Sequence, residues 1–343
     1  MGTGFGKRLA SLVCLIFISS CAGRAQTVRD RIRERQKARE VARQSDSQFP
    51  PKGRLTTAEK KIIQFDGHDR YYLIQPVRES GLHPVVILLH GGTQSAESVW
   101  TQTSLPTLGE RDKFIVAAPN AIDGHWNDGR GATLGGDRPS TADDAGFLQQ
   151  VISDLIANHN ADDKAVFMIG ASNGGFMTMH FACAAGELLR AAGNVISVLP
   201  VEQQQSCPAK KPLPWISMNG TADPIVAFNG EAVGAVRNGQ KQPALLSADA
   251  TFAFWADRDH CSSEIQHTTI PHLKQDDKTS AEERTRASCA GAPASIYYVF
   301  EGGGHTWPNA QSRWLVKRIV GESNQDVDAG EAIWNFFRST LAQ

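Results

Sequence analysis

Apolar positions along the chain gather into short unbroken runs separated by amphipathic stretches. Val85–Leu89, Phe114–Ala118 and Ala165–Ile169 are continuous β-prone runs, the pattern of strands buried on both faces of a parallel sheet. Further strands are predicted at Val195–Leu199, Trp215–Met218 and Ile296–Phe300. Ahead of them, Lys61–Phe65 and Tyr71–Ile74 flank Asp66-Gly67-His68-Asp69, a hairpin signal. Between strands the apolar spacing changes to threes and fours. Ala145, Leu148, Val151, Ile152 and Leu155 line one face of a helix expected over Ala142–Asn158. Asn173–Cys183 is expected as a helix that follows a strand directly. Ile333, Phe336, Phe337 and Leu341 form the inward face of a helix from Gly330 to Leu341. Strands alternating with helices predict an α/β fold, with a mostly parallel central sheet covered by helices on both faces.

The first residues break this pattern. Lys7 and Arg8 precede the uncharged run Leu9–Ile18. That run is shorter than the roughly 20 residues of a bilayer-spanning helix and fits a signal peptide. Ile18-Ser19-Ser20-Cys21 resembles the bacterial lipobox, whose Cys is lipidated; ordinary cleavage near Gly23-Arg24-Ala25 is the alternative. In that resemblance, Ala22 rather than Asp after the Cys points to the outer membrane. Residues 22–58 are Arg-rich and poor in apolar positions, as in a solvated tether. The expected organisation is a signal over 1–21, a charged tether over 22–58 and one folded domain over 59–343. The chain is expected to be exported, as an outer-membrane or periplasmic lipoprotein or a secreted protein, with membrane contact only through Cys21.

Composition narrows the classes. At 41% hydrophobic and 21% charged residues over 343 positions, the chain is too apolar for disorder throughout. Lys plus Arg number 35 against 36 Asp plus Glu, for a net charge of -1, which disfavours a nucleic-acid partner. Cys14 and Cys21 fall in the leader, leaving Cys183, Cys207, Cys261 and Cys289. None forms a C-x-x-C pair, so no metal site is expected. In an oxidising compartment these Cys allow three pairings. The sequential one, Cys183–Cys207 and Cys261–Cys289, is the simplest, and its second bridge would staple the polar loop expected over 262–288. Free thiols are the alternative.

Chemistry is concentrated downstream of the Ala165–Ile169 run. Gly170-Ala171-Ser172-Asn173-Gly174 matches G-x-S-x-G, a sharp strand-to-helix turn that exposes a Ser hydroxyl at the sheet edge. The following helix N-terminus favours an anion forming there. A hydroxyl needs a base, and the base an orienting acid. Asp223 lies in a loop past the Trp215–Met218 strand, and His305 in the Gly-rich Glu301–Pro308 segment past Ile296–Phe300. The order Ser172, Asp223, His305 is that of α/β-hydrolases. Rivals are weaker. Asp143 and Asp144 precede the Ser and suit a helix cap, Asp257 and Asp259 lie near a helix end, and His260, His267 and His272 lie in or beside the polar stretch. Donors for an oxyanion are expected from the Asn173 N–H and from His90-Gly91-Gly92-Thr93, with Thr93 favoured and Gly92 next. His90 is expected to support that loop. The Asn173 side chain is not required by this reading. No P-loop, dinucleotide fingerprint or H-E-x-x-H occurs.

The blocks LLHGGTQ (88–94), WNDGRG (126–131), DDAGFL (143–148), GASNGGFMT (170–178), NGTADPIVAF (219–228) and EGGGHTWPN (301–309) resemble the exported esterase family that contains polyhydroxybutyrate depolymerases and carbohydrate esterase family one, with feruloyl and acetylxylan esterases. The resemblance covers about residues 60–343. It implies an α/β-hydrolase fold and a serine esterase that needs no cofactor. Feruloyl- or acetylxylan-type esters of plant polysaccharide are the expected substrates, and a polyhydroxyalkanoate the alternative. A surface lipoprotein that binds a ligand without turnover is the reading from another class. Trp126 and Trp307 are candidate substrate contacts or, equally, packing residues; Asp128 and Arg130 are expected to pair and hold their loop. The chain departs from the resemblance at Asn219, where His is usual, at Ala227-Phe228, where Pro-Tyr is frequent, and in the long insert 262–288.

Overall fold

The computed structural model describes residues 49–131, 140–208, 211–237, 240–241, 243–310 and 314–342. The expected signal, Cys21 and most of the tether lie outside them. Residues 50–58, placed in the tether from sequence, instead pack on the body. The Gly53 N–H donates to the Thr103 carbonyl at 2.9 Å, and Lys52 pairs with Asp328 at 2.8 Å.

The strands are β1 (Glu59–Phe65), β2 (His68–Gln75), β3 (His83–Leu89), β4 (Ile115–Pro119), β5 (Ala161–Ala171), β6 (Ala191–Val195), β7 (Trp215–Gly220), a short pair β8 (Val236–Arg237) and β9 (Gln240–Lys241), then β10 (Gln266–Thr269), β11 (Ser280–Ala287) and β12 (Ala294–Glu301). The central sheet runs β1-β2-β4-β3-β5-β6-β7-β12-β11-β10. Its six middle strands, from β4 to β12, are mutually parallel. Antiparallel pairs close both ends, β1 and β2 at one and β11 and β10 at the other. The helices are α1 (Ala96–Gln102), α2 (Leu105–Asp112), α3 (Asp144–Asn158), α4 (Asn173–Ala185), α5 (Val201–Ser206), α6 (Ala248–Arg258), α7 (Trp314–Val320) and α8 (Ala329–Thr340). None of the described helices is long and apolar enough to cross a membrane.

Because successive side chains alternate faces, each middle strand feeds two cores. Val85, Ile87 and Leu89 join Phe147, Phe176 and Trp255 from α3, α4 and α6 on one face. Val86 and Leu88 join Trp100, Leu108, Trp334 and Phe337 from α1, α2 and α8 on the other. Trp215 stacks on Trp255 with centroids 3.9 Å apart, and Phe114 on Trp334 at 3.8 Å.

Two elements differ from the sequence expectation. The strand placed at 195–199 is β6, four residues earlier, and the chain turns out of the sheet at Ile196 with φ 47°. Small residues hide this strand from an apolar pattern. A Cβ on Gly193 would strike the carbonyl of Ile216, so a central strand here must be thin. The stretch 262–288, expected as a loop, adds β10 and β11 to the sheet. β10 is exposed at every position, so no apolar alternation marks it; its ladder to β11 supplies the order.

Cys183–Cys207 and Cys261–Cys289 are bridged. The second bridge closes a span of 28 residues around β10 and β11. Constraint of the unfolded chain over such a span is worth about 3–4 kcal/mol in the loop-entropy account. Replacing both Cys261 and Cys289 by Ser should lower the urea unfolding free energy by about that amount. A loss below about 1 kcal/mol would mean that the added strands hold themselves without the staple.

Candidate active site

Ser172 sits between β5 and α4 with φ 52° and ψ -122°. A non-glycine residue held there stores about 1–3 kcal/mol and stays only where its surroundings fix it. Its N–H donates to the Val195 carbonyl at 2.9 Å, and its carbonyl accepts from Phe176 N–H at 2.9 Å. The flanking glycines are steric requirements. A Cβ on Gly170 would strike the Gly174 carbonyl, and one on Gly174 would lie within 2.5 Å of the His90 carbonyl.

The loops after β7 and β12 meet backbone to backbone. Thr221 N–H donates to Phe300 O and Ala222 N–H to Gly303 O, both at 2.9 Å; a Cβ on Gly220 would strike Gly303. This contact brings Asp223 to His305. Asp223 Oδ2 lies 2.7 Å from His305 Nδ1, while its Oδ1 accepts from the Ile225 and Val226 N–H groups at 2.8 Å each. His305 Nε2 lies 2.8 Å from Ser172 Oγ. The Asp223 side chain is 2% exposed and that of His305 9%, so the ring is shielded yet open toward the serine. Four of the rivals weighed from sequence are engaged elsewhere. Asp143 caps α3 through Gly146 N–H at 2.8 Å, and Asp144 is buried against Arg70 at 2.7 Å. His267 faces Glu282 at 2.7 Å, and His272 faces Asp326 at 3.1 Å.

His90 is fully buried behind the loop that follows β3. Ala121 N–H donates to its Nε2 at 3.0 Å, so the ring proton sits on Nδ1, which donates to the Gly91 carbonyl at 2.8 Å. In a trans peptide the carbonyl and the next N–H point opposite ways. Holding Gly91 O therefore turns the Gly92 N–H away from His90. The donor favoured from sequence, the Thr93 N–H, is engaged: it donates to Gly124 O at 2.9 Å, because Thr93 adopts φ 61° and turns its amide toward that loop. The Gly92 and Asn173 N–H groups carry no hydrogen bond among the described residues, and both residues line the cavity that holds Ser172 and His305.

Trp126, expected as a possible substrate contact, is 2% exposed and does not line that cavity. It packs on His90 with centroids 5.0 Å apart, and its indole N–H donates to the His90 carbonyl at 2.9 Å. Trp307 does line the cavity. The Asn173 side chain, which sequence reasoning left without a task, is fully engaged with the WND segment: Oδ1 accepts from Trp126 N–H at 2.7 Å, and Nδ2 donates to Trp126 O at 3.1 Å and Asp128 Oδ2 at 2.6 Å. Asp128 is paired in turn with Arg130, whose Nε lies at 2.9 Å. The blocks were visible in sequence; that they grip the residue after Ser172 was not, since 45 positions separate Asp128 from Asn173. Asn219, where the resemblance has His, is a buried strand residue that donates to Ser197 O at 3.0 Å.

The cavity measures about 570 Å³. Ile196, Ile225, Trp307, Val316 and Ile319 supply apolar wall, and Val316 and Ile319 stand exposed on α7 at 45% and 69%.

The chain belongs to the alpha/beta hydrolase family, whose pattern matches residues 86–318. It is 23% identical over 291 residues to NocK of Nocardia uniformis subsp. tsuyamanensis, named as an esterase, covering 82% of each chain. It is 24% identical over 238 residues to feruloyl esterase B of Piromyces equi, covering 68% of this chain and 40% of that one. Among solved structures, the acetyl xylan esterase from Aspergillus awamori shares the fold at TM-score 0.51 and 15% identity, over 82% of this chain and 99% of that one. Both sequence relatives are named as esterases, and the fold neighbour as an acetyl xylan esterase.

Burial pushes His90 down to about 4 from 6.5. The unfolded chain then binds the extra proton between those values, so stability is complete above about pH 6.5 and is lost as the pH falls toward 4. Comparing urea unfolding at pH 7.5 and pH 5, the wild type should lose about 2 kcal/mol more than a His90→Gln variant. Equal losses in the two proteins would show that His90 is not held neutral.

Proposed function

We propose that the chain is an exported serine esterase acting through an acyl-enzyme, with Ser172 as nucleophile, His305 as general base and acid, and Asp223 as the group that orients and stabilises the imidazolium. The observation that carries this reading is the continuous hydrogen-bonded chain from Ser172 Oγ through His305 to Asp223, at 2.8 and 2.7 Å. His305 takes the hydroxyl proton as Ser172 attacks the ester carbonyl. The oxyanion is received by the N–H groups of Asn173 and Gly92, in a site where each donor contributes about 2.7–4 kcal/mol. The alcohol leaves with the proton from His305, and water then cleaves the acyl-enzyme by the same route. Side chains, two backbone N–H groups and water carry every step, and no metal or cofactor is invoked.

The acyl group fits the cavity over Ser172. Its volume of about 570 Å³ exceeds the needs of an acetyl group, and a flat ring against Trp307 suits a feruloyl-type acyl chain. A neighbouring cavity of about 830 Å³ shares Thr93 and His125 with it and carries Asp66, His68, Asp123 and Asp143, polar groups suited to the hydroxyls of a polysaccharide alcohol part. A hydroxyalkanoate polyester is the second reading, favoured by the exposed apolar pair Val316 and Ile319 at the mouth. Export, with Cys21 as a lipid anchor or with simple secretion, belongs to this proposal.

The test is a panel of p-nitrophenyl acetate and butyrate, methyl ferulate, acetylated xylan and hydroxybutyrate oligomers. Ser172→Ala should lower kcat by at least about 10³-fold on whichever ester is taken, and should abolish labelling by a fluorophosphonate. Preference for methyl ferulate supports the polysaccharide reading, and preference for the oligomers moves the assignment to polyester. Wild-type rates equal to Ser172→Ala on every ester would sink the esterase reading and favour a ligand-binding protein.

A further inference from the structure

We propose that Trp126 and Asp128 form a positioning clamp that aims both oxyanion donors at once, with the Trp126 indole as the strut between them. The inference rests on the serine-esterase reading and concerns how its two N–H groups are held.

The first donor belongs to the Ser172–Asn173 peptide. The carbonyl of that peptide is fixed by Phe176 N–H, but Ser172 itself lies in a strained backbone region, and relaxation there would rotate the Asn173 N–H. The Asn173 side chain blocks this rotation. Its Oδ1 and its Nδ2 together make three hydrogen bonds to Trp126 N–H, Trp126 O and Asp128 Oδ2. Only one orientation of the amide satisfies a donor on one side and two acceptors on the other. Asp128 is kept in place by Arg130: Nε lies at 2.9 Å, and the Arg130 N–H donates to Asp128 Oδ1 at 3.2 Å. The guanidinium covers the Phe176 ring at 3.7 Å, which returns the clamp to α4, the helix that Asn173 begins.

The second donor is the Gly92 N–H. Its peptide is held through Gly91 O by His90 Nδ1–H, and from the preceding amide, Gly91 N–H, by Gln94 Oε1 at 3.2 Å. His90 is located by the Trp126 indole N–H on its carbonyl at 2.9 Å and by ring packing against the same indole. Trp126 thus grips the first donor's residue with its backbone and the second donor's loop with its side chain. A displacement of about 1 Å at such a site costs on the order of 10²-fold in rate, so small losses of aim are visible in kcat.

The experiment uses the whole chain with three variants, each checked for folding by circular dichroism and thermal melting. Trp126→Phe keeps an aromatic ring but removes the indole donor together with part of the ring volume, so the melting control is required for it. Asn173→Ala removes the gripped amide, and Asp128→Asn keeps the shape while weakening the anchor. On the best p-nitrophenyl ester, kcat should fall about tenfold for Trp126→Phe and about 10- to 100-fold for the other two. KM should stay within about twofold. The midpoint of the pH–rate profile should not move, since Ser172, His305 and Asp223 are untouched. Inhibition by benzeneboronic acid, whose tetrahedral adduct places an oxygen at the oxyanion position, should weaken by the same ratio as kcat/KM. Folded variants that keep kcat within about twofold overturn the clamp, as does a rise in KM at constant kcat, which would make Trp126 a determinant of pocket shape. If Trp126→Phe does not fold, Asn173→Ala and Asp128→Asn decide by the same criterion. Wild type no faster than Ser172→Ala would defeat the esterase reading itself; an active wild type with unaffected variants defeats the clamp alone.

Discussion

The backbone at Ser172, with φ 52° and ψ -122°, is a conformation that a residue with a side chain leaves unless it is held. Much of the surrounding structure can be traced to that requirement. Gly170 and Gly174 lack side chains because their Cβ atoms would strike neighbouring backbone carbonyls. Strand β6 supplies the Val195 carbonyl that accepts the Ser172 N–H, and must itself be built from small residues to fit between its neighbours. The WND segment holds the next residue by its side chain. Strain at one residue is thus distributed over β5, β6, α4 and the loop that follows β4, two strands away in the sheet.

The parts of the fold that sequence made legible are those in which a residue's reason lies close by in the chain. Val85–Leu89 and Ala165–Ile169 are apolar because both faces of a middle strand are buried, and α3 shows its threes and fours because one face meets the sheet. Ser172, Asp223 and His305 stood out because each follows an apolar run and sits among turn residues. The misses have the opposite character. Strand β6 is thin because of Ile216 on its neighbour, β10 is ordered by pairing with β11, and Thr93 is unsuitable as a donor because Gly124 takes its amide. Asn173 looked idle because its partners, Trp126 and Asp128, come from another loop. In each case the cause is a contact between distant positions, which neither periodicity nor spacing records.

Trp126 illustrates how a residue type misleads. A tryptophan in a motif beside a hydrolytic serine suggests a wall for an aromatic substrate. The use of its N–H on a backbone carbonyl gives it another task, while Trp307, itself only 4% exposed, lines the cavity. The relevant distinction is where the polar edge of the ring goes. In Trp126 it is consumed inside the protein; its ring leaves no face for a ligand.

The loops that carry Asp223 and His305 are joined through Gly220 and Gly303 without side chains between them, and through Thr221 and Ala222 amides on the neighbouring loop. Asp223 and His305 are therefore carried on loops bonded to each other, while Ser172 stands on the end of another strand. Ser172 and the Asp223–His305 pair thus reach the site from different strands, and the 2.8 Å contact between His305 Nε2 and Ser172 Oγ is where the two supports meet. Substitutions in the loops after β7 and β12 would therefore be felt first at that junction, before they reach the 2.7 Å contact inside the pair.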